Sequence, residues 1–136
     1  VINSRSLSDL HPKVARLAQQ FIIDCGHAGI EVLIYSTYRD NEAQDAEYAK
    51  GRSRPGKKVT NAKGCESFHN YGMAFDFVPL KDKTPQWGSI ELYRKCGEIA
   101  VKCGLEWGGN WRFIDRPHCQ FTDGHDIEFF KSGCKI

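Results

Sequence analysis

Between Ala74 and Val78 the chain reads Ala-Phe-Asp-Phe-Val, an apolar, β-prone stretch with a carboxylate at its centre. A charge buried alone in such a strand is costly, so any fold this chain adopts must bring Asp76 a partner, either an arginine or a metal ion. The residues leading into it read Ser67-Phe68-His69-Asn70-Tyr71-Gly72-Met73-Ala74-Phe75-Asp76, a pattern S-x-H-x-x-G-x-A-x-D. Imidazole and carboxylate are both good zinc ligands, the first here on a loop and the second in a strand. Gly72 permits the turn that brings the two ends of the motif together, and Ala74 keeps one approach uncrowded.

Catalytic zinc commonly takes three protein side chains and leaves one position open. Asp115-Arg116-Pro117-His118 supplies the third, with His118 opening a short strand through Phe121. Asp115, three residues earlier on a turn, can reach the site without being a ligand, as a general base and then general acid must. Arg39 follows the short β-rich run Glu31–Tyr35 and stands at a strand terminus.

The remaining punctuation places these residues. Val14, Leu17, Ala18, Phe21, Ile22 and Cys25 share one face of a helix that begins at Pro12 and stops at Gly26 or Gly29. Asp40 is an N-cap for a second helix through Ala43, Ala46 and Tyr48, closed by Gly51. Residues 52–64, rich in Gly, Pro, Lys and Arg, read as a long surface loop. Met73–Pro79 reads as a buried strand. Ser89 caps a third helix whose Leu92, Cys96, Ile99, Ala100 and Cys103 face inward before Gly104. Short strands and turns fill Leu105–Phe121, and a helical turn starts at Asp126. The expected fold is α+β, a short antiparallel sheet packed by about three helices in one domain over residues 1–136.

Several classes are disfavoured. The net charge of +2 comes without a Lys/Arg block of the kind that grips nucleic acid. No run approaches the roughly 18 apolar residues of a membrane span, and the opening Val1-Ile2-Asn3-Ser4-Arg5 is not a signal peptide, so synthesis in the cytoplasm is expected. The six cysteines contain no C-x-x-C pair and read as free thiols; Cys25, Cys96 and Cys103 fall on apolar helical faces.

From Tyr38-Arg39 through Ala43-Gln44, Tyr48–Arg52, Thr60–Gly64, the S-x-H-x6-D motif, Trp107-Gly108-Gly109-Asn110-Trp111 and Pro117-His118, the chain resembles the LAS-type, VanY-like zinc peptidases. Those stretches look most like the L-alanyl-D-glutamate endopeptidases used as phage endolysins. The resemblance implies Zn2+ held by His69, Asp76 and His118, Asp115 as the catalytic carboxylate, and Arg39 as the group that holds the developing oxyanion. It also implies substrate contacts at Ser67 and Gln44. The expected partner is the peptide stem of bacterial peptidoglycan, met by a monomer after release to the wall. A D-alanyl-D-alanine carboxypeptidase of the same family and a non-catalytic zinc-stabilised wall-binding module are the alternatives. The presence of both Asp115 and Arg39 argues against the module. Trp107 and Trp111 read as core or groove alike.

Overall fold

Residue Asp76 sits in the central strand of a five-stranded antiparallel sheet. The computed structural model describes residues 1–136. The strands are β1 (Glu31–Ser36), β2 (Ala74–Lys81), β3 (Thr84–Pro85), β4 (Glu106–Trp107) and β5 (His118–Gln120). Their order is β1-β2-β5-β4, and β3 pairs with the far end of β2. Four helices complete the fold: α1 (Pro12–His27), α2 (Asn41–Ala49), α3 (Ile90–Cys103) and the five-residue α4 (Ile127–Lys131). None of them is long and apolar enough to cross a membrane.

The helices start and stop where the capping residues require. Pro12 takes the first turn of α1, and Val14, Ala18, Phe21 and Cys25 recur at helical spacing on its buried face. Asp40 and Ser89 accept from Ala43 N and Leu92 N at the heads of α2 and α3. Because side chains alternate along a strand, Phe75 and Phe77 both point at α1, where their rings meet Phe21 at 5.8 and 5.0 Å between centroids. Burying an aromatic side chain of that kind contributes about 1.5–3 kcal/mol. The same alternation turns Asp76 to the opposite face.

Strand β1 carries a bulge. Ile34 lies opposite Phe77 and Ser36 opposite Asp76, so Tyr35 is one residue too many for the ladder. An extra residue re-aims its side chain, and Tyr35 is turned into the cleft described below. The end of β1 is strapped by the amino-terminal residues: Thr37 N donates to Ser4 O, Ser4 N to Tyr38 O and Asp40 N to Ile2 O, each at 2.8–2.9 Å.

Cys25, Cys96 and Cys119 are buried as small hydrophobes, while Cys65 and Cys134 are exposed. Trp107 is core: its indole packs against Gly97 of α3 and Gly109, and a Cβ at either glycine would come within 2.1–2.4 Å of its ring carbons. Gly97→Ala should therefore cost about 1–3 kcal/mol through overpacking. Denaturant melts will check this, and an unchanged midpoint would mean the indole can move aside freely.

Candidate active site

The ladder register builds the site. Asp76 of β2 lies directly opposite His118 of β5, so the two side chains share one face. His69 arrives from a single 3-10 turn, Phe68–Tyr71. Ser67 caps that turn by accepting from His69 N at 3.2 Å, and the Asn70 side chain accepts from Ser67 N at 3.2 Å in a capping box. The Asn70 amide also donates to Arg39 O at 3.0 Å, tying the turn to the end of β1. Gly72 closes the turn in the left-handed region at φ 68°, the conformation the sequence pattern called for.

One oxygen of Asp76 faces both imidazoles: Oδ1 is 3.3 Å from His69 Nε2 and 3.4 Å from His118 Nδ1. These three side chains form a group whose ligand atoms lie within 4.8 Å of one another. The other carboxylate oxygen, Oδ2, accepts from Arg39 Nη2 at 3.0 Å. Arg39 also donates from Nε to Ser36 Oγ (3.1 Å) and from Nη1 to Gln44 Oε1 (2.9 Å). Three of the five guanidinium donors are thus engaged and two are free.

Two nitrogens and one carboxylate oxygen, mostly buried and converging, form a donor set that suits zinc. The outward nitrogens already have partners, His69 Nδ1 at Thr37 O (2.7 Å) and His118 Nε2 at Gln120 Oε1 (2.8 Å). The electrostatics agree. Burial acts to raise the Asp76 carboxyl, but the charge of His69 and hydrogen bonds from His118 and His69 outweigh it and hold the carboxyl well below the usual range. Burial likewise acts to lower His118, yet the Asp76 hydrogen bond and the charges of Asp76 and Asp115 raise it.

The group lies on the floor of a cleft of about 560 Å³, whose walls include Tyr35, Arg39, Ser67, Trp111 and Asp115. Asp115 keeps access to solvent, yet the cleft walls crowd it; this desolvation, aided by the Asp76 charge, raises its carboxyl against the opposing pull of His118, His69 and Arg39. Its side chain accepts no hydrogen bond from the protein and stands outside the ligand group. Loop residues Val59, Thr60 and Ala62 line the cleft as well.

Gln44, expected at a substrate contact, is placed differently. It is fully buried, its Nε2 donating to Ala62 O at 2.8 Å while Oε1 holds Arg39. It lies four residues after the Asp40 cap, one turn along on the inward side of α2, and so it fixes the arginine instead of lining the cleft. Gln120 and Tyr35 do not stand out in the sequence pattern, and of the two tryptophans read there as core or groove alike it is Trp111 that lines the cleft, its ring 5.1 Å from that of His118. The two-residue alternation from His118 is the signal that could have found Gln120.

Residues 60–121 match a family model described as D-alanyl-D-alanine carboxypeptidase. The chain is 40% identical over 123 residues to the peptidoglycan L-alanyl-D-glutamate endopeptidase CwlK of Bacillus subtilis (strain 168), covering 83% of this chain and 74% of that protein. It is 37% identical over 138 residues to the L-alanyl-D-glutamate peptidase of Listeria phage A118, covering 96% of this chain but only 46% of the phage protein. Among solved structures it is similar to the L-Ala D-Glu endopeptidase ChiX of Serratia marcescens, with a TM-score of 0.64, 23% identity and 89% of each chain covered. It is also similar to a mutant of the vancomycin-resistance D,D-pentapeptidase VanY in complex with Zn(II), with a TM-score of 0.65, 16% identity and 98% and 86% covered. At those identities the structural likeness speaks for the fold alone.

Proposed function

Since the chain belongs to the VanY-like, LAS-type peptidase family, we propose that it is a zinc endopeptidase that hydrolyses the L-alanyl-D-glutamate bond of the peptidoglycan stem. The observation that carries this reading is the convergence of His69, Asp76 and His118 on the floor of one cleft, with Arg39 and Asp115 beside them. His69, Asp76 and His118 are the residues that would hold the ion, which when bound supplies Lewis-acid charge and eases the deprotonation of water near neutral pH.

The chain's own residues do the rest. Arg39 turns its free donors to the carbonyl oxygen of the scissile amide and stabilises the charge that develops there. Because Asp76, Gln44 and Ser36 fix the guanidinium beforehand, little reorganisation is needed as that charge forms. Asp115 accepts a proton from the attacking water and returns it to the departing amine nitrogen, a task suited to a carboxyl whose surroundings raise it. Ser67 borders the cleft beside His69 and is the substrate contact on that wall. Residues 1–136 act as one monomeric peptidase unit whose substrate is the bacterial cell wall.

The test is a digest of purified peptidoglycan read by mass spectrometry. Fragments with a new N-terminal D-glutamate are expected, and a chelator should abolish them. Free D-alanine as the sole product would make the chain a D,D-carboxypeptidase. Binding to the wall without any cleavage would make it a zinc-stabilised binding module.

A further inference from the structure

We propose that Gln120 is a positioning residue of the metal centre, its amide oxygen locking the His118 ring so that Nδ1 is the nitrogen presented to the ion. The inference rests on the metal reading above. His118 and Gln120 stand two residues apart on β5 and therefore on one face. His118 lies opposite Asp76, and Gln120 lies opposite Ala74, whose small side chain leaves space beside the imidazole. Both residues are buried, at 8% and 6% relative exposure, so water competes little for the 2.8 Å contact between His118 Nε2 and Gln120 Oε1.

The chemistry follows from what an amide oxygen can do. It only accepts, so Nε2 must carry the proton and the lone pair on Nδ1 is left free. With the amide turned over, its NH2 would face Nε2 and force the proton onto Nδ1, the atom that faces Asp76. His69 is fixed in the converse way: its Nδ1 is engaged by Thr37 O, and Nε2 faces the same Asp76 oxygen. The two rings thus offer opposite nitrogens, each set by one neutral oxygen. For His69 that oxygen is backbone; for His118 it hangs on a single side chain that substitution can remove. Outer partners of metal-bound histidine commonly change metal affinity about 10- to 100-fold when lost.

Zinc affinity measured by competition with a chromogenic chelator, together with the absorption spectrum of the cobalt-substituted protein, tests this. Gln120→Leu should bind zinc about 10- to 100-fold more weakly and alter the cobalt spectrum. Gln120→Glu, which keeps an acceptor oxygen at the same reach, should bind at least as tightly as wild type. Should the leucine variant fail to fold, Gln120→Asn, polar but one methylene short, carries the same expectation of weakened binding. Wild-type affinity and an unchanged spectrum in the leucine or asparagine variant would overturn the proposal. So would a raised KM with unchanged zinc affinity, which would make Gln120 a substrate contact. His69→Ala separates the two levels: if it loses zinc while Gln120→Leu does not, only the role of Gln120 falls. If wild type itself takes no zinc, the metal reading falls and this inference with it.

Discussion

Asp115→Asn is expected to keep its metal and its melting temperature and to lose at least about 10²- to 10⁴-fold in activity, the range general acid–base catalysis contributes. The structure says why stability should not move. The Asp115 carboxylate accepts no hydrogen bond from the protein and is no member of the ligand group, so an amide of the same shape breaks nothing. Substitutions that disturb no such feature usually stay within about 0.5 kcal/mol. What the amide lacks is a place for the proton, and the loss should fall on kcat more than on KM. Asp115→Glu restores the base at slightly longer reach and should be partly active. An Asp115→Asn protein that melts normally, holds zinc and still digests peptidoglycan within a few-fold of wild type would remove Asp115 from the mechanism. Lost zinc in that variant would instead make it a ligand.

Asp76→Ala should be the most damaging substitution in the chain, because one carboxylate serves His69, His118 and Arg39 together. Metal content measured by elemental analysis should fall close to zero. The metal-free protein should also be less stable by about 3–5 kcal/mol, since removing one member of a buried ionic cluster leaves the others unpaired. The pH dependence separates this from a loss of packing. Asp76 is depressed, so its contribution is present above the unfolded carboxyl value near 4 and is lost as pH falls through the folded one. His118 is raised, so its contribution is present below the unfolded imidazole value near 6.5 and is lost as pH rises through the folded one. Metal-free wild type should gain most from the cluster between about pH 4 and 6.5, and Asp76→Ala should flatten that window. Equal metal content in variant and wild type would refute the ligand assignment.

How much of this was readable from the sequence depended on whether a residue's neighbours announced its direction. Asp76 was conspicuous because Phe75 and Phe77 gave it an apolar frame, and the caps Asp40 and Ser89 fixed two helices. The sheet was less legible. Strand β2 runs on through Pro79 to Lys81 and turns back into β3 through Asp82 and Lys83, both at positive φ without the Asn or Gly that would signal such a hairpin. Gln44 could not be placed because α2 is nine residues long and weakly amphipathic, with nothing to say which polar side chain turns inward. Trp107 and Trp111 look alike in sequence; the 3-10 turn Gly108–Asn110 between them sends one into the core and the other over His118.

The clasp on Trp107 also bears on how this sequence can drift. The indole Nε1 donates to Arg116 O at 2.8 Å, one residue from Asp115, while its ring occupies the space left by two absent side chains at Gly97 and Gly109. An alanine at 97 is tolerable only with a smaller residue at 107, and that change gives up the bond anchoring the turn that carries Asp115. The three positions form an epistatic unit in which each single step passes through a less stable protein. A glycine on the buried face of α3, which touches no reacting group, is thereby bound to the history of the residue that moves the proton.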